Sequence, residues 1–135
     1  MGRQGDIQQV RTTPAPSKAV LLVIVLALAF LVCGVYRQTG GYAFINIDDC
    51  VYVYENPHVL KGLSTESIPW AFKTIDASFW HPLTWLSHMF DVELFGLSAG
   101  WHHRMNVVYH LTNTLLLFLV LWRMTGGVWQ SAFVA

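Results

Sequence analysis

The chain carries little charge for its length. Of its 135 residues 12% are Asp, Glu, Lys or Arg, and eight basic residues balance eight acidic ones. Soluble domains carry about 25% charged residues. With no net charge the chain has no basic surface for DNA or RNA, so we expect no nucleic-acid partner. The hydrophobic fraction of 54% excludes a disordered chain and is typical of a small membrane protein.

Cysteine is scarce as well. Cys33 and Cys50 are too few for a disulfide framework and have no metal-ligand spacing. The six histidines match no standard zinc set, so we expect them to act mainly as hydrogen-bonding groups. No metal site is therefore predicted, although a divalent cation remains open as a cofactor.

Two long apolar segments predict an all-α integral membrane protein. Residues 19–36 carry no charge, and as a helix they reach about 27 Å, close to the ~30 Å of a hydrocarbon core. A cleaved signal peptide would need a shorter apolar region and small residues before the cleavage point. An uncleaved span is therefore favoured. Residues 105–122 predict a second span, and both must be helical because lipid offers no partner for exposed backbone groups.

The second span is polar in its first half. His103, Asn106, His110 and Asn113 share one helix face. Polar groups inside a membrane normally face a bundle interior or a water-filled cavity. We expect this polar stripe to pack against other helices. In the simpler interpretation its members only hydrogen-bond neighbouring helices.

The distribution of basic residues predicts the topology. Three bases precede the first span and Arg123 follows the second, whereas residues 38–103 carry seven acids and two bases. The positive-inside rule therefore places the N-terminus in the cytoplasm and makes the chain a multi-pass protein. The expected parts are a flexible cytoplasmic tail (1–18), a span (19–36), an extracytoplasmic loop with short interfacial helices (37–104), a span (105–122), and a cytoplasmic turn with the start of a truncated third span (123–135).

The loop is rich in aromatic residues, which is typical of helices at the level of the lipid headgroups. Ser64 can cap a first short helix. Pro82 fits the first turn of a second helix, and Gly96 is suited to end it. Residues 44–57 alternate like a strand, but such a strand would have no evident partner, so their secondary structure is left open.

Asp48 and Asp49 are adjacent among apolar residues, shortly after the first span. A carboxylate there can serve as a general base or as a ligand for a divalent cation. One acid of the pair can address a substrate hydroxyl while the other binds a metal or holds a helix end. A solvated turn or a helix cap is the simpler interpretation. Arg104 is a basic group at the outer interface, where an anionic lipid headgroup can be met.

A series of motifs extends through the chain in a fixed order. The most specific is Trp80-His-Pro-Leu-Thr-Trp85. The others are the Asp48-Asp49 pair, Glu55-Asn-Pro57, Trp70-Ala-Phe72, Leu94-Phe-Gly96, His102-His-Arg-Met-Asn106, His110-Leu-Thr-Asn113, Leu121-Trp-Arg-Met-Thr-Gly126 and Trp129-Gln-Ser-Ala-Phe-Val-Ala135. In this order the motifs resemble the N-terminus of the transmembrane and tetratricopeptide-repeat-containing proteins, membrane-embedded glycosyltransferases of the C superfamily.

The resemblance implies a polyprenyl- or dolichyl-phosphate sugar, mannose-like, as the donor at the membrane. A hydroxyl of a protein or glycan would accept the sugar on the extracytoplasmic side. Enzymes of this family carry an essential acid in the first extracytoplasmic loop, and the resemblance assigns that role to Asp48 or Asp49. An inverting transfer needs one base to deprotonate the acceptor hydroxyl and forms no covalent intermediate. The residues expected to bind substrate are Trp80, His81, His102, His103, Arg104, Asn106 and His110.

The chain also departs from that family. The family has many spans followed by helical repeats, and these are missing from the 135 residues. We therefore expect the chain to be inactive by itself. The main alternative is a non-enzymatic two-span scaffold or assembly protein that uses the polar stripe to bind a partner. A fragment of a transporter or channel is a weaker third interpretation.

Overall fold

The computed structural model describes residues 15–135, and within this range the chain is helical and contains no β-strand. Residues 1–14 of the predicted cytoplasmic tail lie outside the described part. Shorter helical turns occupy Arg37–Gly41, Cys50–Tyr54 and Asp76–Ser78. The helices are α1 (Lys18–Tyr36), α2 (Ser67–Lys73), α3 (Pro82–Phe95), α4 (Ala99–Thr125) and α5 (Val128–Val134).

Helices α1 and α4 are long and apolar enough to cross a membrane. The N-terminus of α1 is capped by Ser17, whose hydroxyl accepts a hydrogen bond from the Val20 N–H at 3.3 Å. Only Ile24 and Val32 of α1 are buried. The remaining apolar surface of α1 is large, which suits contact with lipid or with further helices.

Helix α4 is longer than the predicted span 105–122. It begins at Ala99 and has 27 residues, so it reaches about 40 Å. His102, His103 and Arg104 therefore lie on its first turns and not in the loop. The helix ends at Gly126, which adopts a left-handed conformation with φ of 72° and bonds the Trp122 carbonyl.

The end of the first span packs closely against the start of α4. A Cβ atom added to Gly100 would collide with the carbonyl oxygen of Gly40. A Cβ atom on Gly40 would in turn lie 2.7 Å from Nε of Arg104. Small residues at a helix crossing allow two backbones to approach. This pair of glycines therefore fixes where the two long helices meet.

The region between the long helices has a small core of its own. Val59, Ala71, Trp85 and Met89 are fully buried together. Tyr52 stacks on Trp85 with ring centroids 5.0 Å apart. Aromatic rings bury large apolar areas, so a few of them are enough to hold the short helices α2 and α3 together.

The predicted ends of α3 are confirmed, whereas α2 begins at Ser67, three residues after Ser64. Pro82 lies in the first turn of α3, and Gly96 ends that helix with φ of 59°. At the start of α2, the Ser64 hydroxyl accepts a hydrogen bond from the Ser67 N–H at 3.0 Å. Residues 44–57 do not form a strand, because Cys50–Tyr54 is a π-helical turn.

The C-terminal segment, predicted as the start of a third span, forms the short helix α5. It follows the turn at Gly126 and Gly127 and packs on α4. The Ser131 hydroxyl donates to the Gly127 carbonyl at 2.7 Å.

Candidate functional site

A first cleft lies where the end of α1 meets α4. Three members of the predicted polar stripe line it, whereas Asn113 is not among its residues. The ring of His110 meets Tyr36 edge-on, with centroids 5.3 Å apart. His110 thus contacts the end of the first span, but Asn106, His110 and Asn113 are exposed, so the stripe is not packed against a helix as predicted. The cleft has a volume of about 270 Å³ and is lined by Tyr36, Thr39, His103, Asn106, Val107 and His110.

A second cleft of about 500 Å³ lies beneath residues 41–45. Asp49 and His103 both line it. Nε2 of His103 donates a hydrogen bond of 3.5 Å to the Ala43 carbonyl. Because His103 borders both clefts, it connects the acidic end of the site to the polar stripe.

The two adjacent acids have different surroundings. Asp49 is half-buried, and its Oδ2 accepts a hydrogen bond from the Ile45 N–H at 2.8 Å. Asp48 is exposed, and its backbone carbonyl accepts from the Tyr52 N–H at 2.9 Å. Asp49 therefore holds the turn that covers the second cleft and also lines that cleft. Of the pair, Asp49 is the acid placed for chemistry there.

Arg104 follows His103 on α4 but does not line either cleft, because its guanidinium lies against Gly40 at the end of the first span. Its guanidinium stands 4.7 Å from the ring centroid of Trp101, a cation–π contact. No carboxylate in residues 15–135 forms an ion pair with it. An exposed guanidinium that is not neutralised by a carboxylate suits a phosphate group.

His102 and His103 are adjacent in the sequence, but only His103 lines the clefts. His102 is 4% exposed, and its Nε2 donates to the Gly96 carbonyl at 2.9 Å. Its ring also meets Phe44 edge-on at 5.3 Å. His102 is thus turned into the corner between α3 and α4 and does not line either cleft.

Trp80 and His81 lie apart from the two clefts. Nε1 of Trp80 donates to the Phe72 carbonyl at 3.0 Å. His81 shares a hydrogen bond of 3.2 Å with the Tyr52 hydroxyl and packs near Trp85. Both residues were expected to bind substrate, but His81 contacts the loop core and Trp80 is 64% exposed and bonded to the backbone of α2.

One polar cluster was not predicted from the sequence. His88, Asp91 and His102 each offer a ligand atom, and these atoms lie within 4.8 Å of one another. His88 and Asp91 are three residues apart on α3 and so share a face, a signal that the sequence does contain. His102 joins them only because the turn at Gly96 brings α4 back toward α3. The three residues have no zinc-like spacing in the sequence, because the tertiary fold is what brings them together.

Burial explains the electrostatics of this cluster. Removal from water, followed by the effect of the neighbouring His102 charge, lowers the pKa of His88 to about 4, while the Asp49 carboxylate opposes this shift. Removal from water raises the pKa of Asp91, and His102 partly offsets the rise. Burying the charged forms of His88 and Asp91 without a group of opposite charge is therefore unfavourable.

Comparison with known proteins adds no further constraint on the site. No family model, no curated protein sequence and no solved structure matches this chain.

Proposed function

We propose that this chain is the N-terminal part of a membrane glycosyltransferase. The enzyme would move a mannose-like sugar from a polyprenyl- or dolichyl-phosphate donor to a hydroxyl group of a protein or glycan. The proposal combines the motif order described above with the clefts beside α4. The observation that carries it is that Asp49 and His103 line one cleft at the loop end of the two long helices.

The proposed topology rests on the distribution of basic residues. The N-terminus and the turn after α4 would lie in the cytoplasm, and the region from the end of α1 to the start of α4 would lie outside it. Both clefts are at the loop end of the spans, since they include Thr39, residues 41–45 and the first turns of α4. A donor with its tail in the bilayer presents its phosphate and sugar at that level, close to the clefts.

The side chains divide the proposed chemistry between them. Asp49 would take the proton of the acceptor hydroxyl as that oxygen attacks the anomeric carbon of the sugar. The bond from the sugar to the donor phosphate breaks, and the phosphate leaves with the bonding electron pair. Arg104 would contact the phosphate oxygens, because a planar guanidinium can donate two parallel hydrogen bonds to them. His103 and Asn106 would add donors along the cleft.

The transfer test uses membranes from cells that express the complete reading frame. Membranes receive polyprenyl-phosphate mannose and an acceptor, and the rate of sugar transfer is measured for two variants. We expect Asp49→Asn to lower the rate by about 10²–10⁴-fold, the usual contribution of a general base. Asp48→Asn serves as the matched control and should keep most of the rate. Equal activity of Asp49→Asn and wild type would contradict the assignment.

Binding of the donor can be tested on the 135-residue chain itself. Reconstituted in lipid nanodiscs, it should retain labelled polyprenyl-phosphate mannose even though we expect no turnover. Arg104→Gln should weaken this binding by about tenfold or more, because a charge-assisted hydrogen bond contributes about 1.5–3 kcal/mol. Lys73→Gln, which removes a charge on α2, is the control. A non-enzymatic scaffold would bind the donor no better than the empty nanodisc.

A further inference from the structure

We infer that His88, Asp91 and His102 form a binding site for a divalent transition-metal ion, with zinc as the best-fitting ion. The site joins the middle of α3 to the first turn of α4 across the turn at Gly96. It adjoins the second cleft, because His102 contacts Phe44, but none of its three residues lines either cleft, and it does not depend on the proposed function.

The cluster contains buried polar atoms without hydrogen-bond partners. Oδ1 of Asp91, Nδ1 of His88 and Nδ1 of His102 make no hydrogen bond. Asp91 is 1% exposed, which is rare for a carboxylate that lacks a partner. Buried polar atoms of native proteins are paired in the great majority of cases. Six buried side-chain atoms of residues 15–135 make no hydrogen bond, and three of them belong to this cluster, which favours a ligand at this place.

The hydrogen bond of His102 to the Gly96 carbonyl determines its tautomer. Its Nε2 faces the Gly96 carbonyl at 2.9 Å, and a carbonyl can only accept, so that nitrogen carries the proton. The Nδ1 atom of the neutral ring then presents a lone pair. A histidine that donates one N–H to a backbone carbonyl and turns the other nitrogen to a cation is the usual arrangement at metal sites.

The distance between the ligand atoms of His102 and Asp91 is close to that expected around a zinc ion. Nδ1 of His102 stands 4.0 Å from Oδ2 of Asp91, which is too far for a hydrogen bond between the two side chains. A tetrahedral zinc ion with ligands at about 2.0–2.2 Å holds neighbouring ligand atoms about 3.3–3.6 Å apart. Side-chain movements of well under an ångström at His102 and Asp91 would therefore bring these two atoms to the separation at which both can bind one zinc ion.

The ligand types select the class of ion. Two imidazoles and one carboxylate suit zinc and related transition metals, whereas magnesium and calcium prefer oxygen ligands alone. The positive charge of the metal ion would balance the carboxylate of Asp91, which is buried away from water. Three protein ligands leave one position of a tetrahedral ion for water or another group.

The test uses the 135-residue chain without a polyhistidine tag, stripped with a chelator in detergent micelles. Titration with Co²⁺ reports the site through the visible d–d bands of a tetrahedral complex, and zinc content after dialysis gives the stoichiometry. We expect one ion per chain. Asp91→Asn and His88→Gln should each weaken binding by about 100-fold or more, since even the loss of a supporting residue costs about 10–100-fold.

Two controls separate this site from incidental histidine binding. His103→Gln alters the neighbour of His102, and His81→Gln alters a histidine of the loop core, so both should keep one ion per chain. Far-UV circular dichroism checks that each variant retains its helices. Folded wild type that binds no more metal than Asp91→Asn would overturn the inference. So would binding of magnesium or calcium in preference to zinc.

Discussion

The loop region has a buried apolar core and α1 has almost none, although some apolar side chains of the loop region, such as Ile75 and Leu83, are also exposed. In the loop region, Trp85 and Met89 are 0% exposed. On α1, Leu22 is 59% exposed and Phe30 is 78% exposed. A folded soluble protein rarely leaves such a continuous apolar surface uncovered. The loop region is thus stabilised by its own packing, whereas the long helices need a surrounding of lipid or other helices.

The largest expected effect concerns the loop core. Trp85→Ala removes a fully buried ring that packs on Tyr52 and Trp70, and such truncations cost about 3–5 kcal/mol. Hydrogen exchange should accelerate across α2 and α3 while α1 keeps its protection. Trp80→Ala, whose ring is 64% exposed, is the control and should change exchange little. If both variants behave alike, the loop region has no core of its own.

The next effect concerns the exposed face of α1. Leu26→Arg places a charge near the middle of the helix, where an arginine costs about 3 kcal/mol on translocon-insertion scales. Leu26 is 58% exposed, so the cost arises only if lipid covers that face. Membrane insertion, measured with glycosylation tags, should fall. Leu83→Arg on α3 should insert normally, and normal insertion of Leu26→Arg would show that lipid does not surround α1.

A smaller effect is expected where the two regions join. Gly100→Ala forces a methyl group against the Gly40 carbonyl, and overpacking of this kind costs about 1–3 kcal/mol. Thermal unfolding in detergent should occur at a lower temperature. At Gly34 an added Cβ meets no atom within 4 Å, so Gly34→Ala should not lower the unfolding temperature. If Gly34→Ala lowered the unfolding temperature and Gly100→Ala did not, the close contact between Gly40 and Gly100 would be wrong.

The smallest effect concerns the cap of α2. Ser64→Ala removes the hydroxyl that accepts from the Ser67 N–H, at a cost of about 1 kcal/mol. Local hydrogen exchange of α2 should increase by about fivefold, since 1.4 kcal/mol corresponds to tenfold. Thr65→Ala alters the exposed neighbour and should have no such effect. Unchanged exchange in Ser64→Ala would mean that packing alone holds α2.

Local sequence signals predicted the helices well, because their causes are local. Pro82 begins α3 and Gly96 ends it through the backbone preferences of these two residues. The polar stripe was also predictable, since helical periodicity fixes which residues share a face. Its contact with the end of the first span follows from the close approach at Gly40 and Gly100, which the sequence alone does not reveal.

The site itself was predictable only in part. Asp49 and His103 were both singled out, but their shared cleft depends on a backbone turn that the Asp49 carboxylate holds at Ile45. His81 was expected at the site because of its motif, yet Tyr52 engages it in the loop core. Contacts between residues far apart in the chain depend on the tertiary fold and leave no spacing to recognise.

The central claim is that the loop region lies outside the cytoplasm while α1 and α4 cross the membrane. Leu60→Cys, in a chain with Cys33 and Cys50 replaced by alanine, places one thiol at an exposed position of the loop region. Met124→Cys, at the far end of α4, is the paired control. A membrane-impermeant maleimide applied to intact cells should label position 60 and spare position 124. Labelling of position 124 but not position 60 would contradict the account.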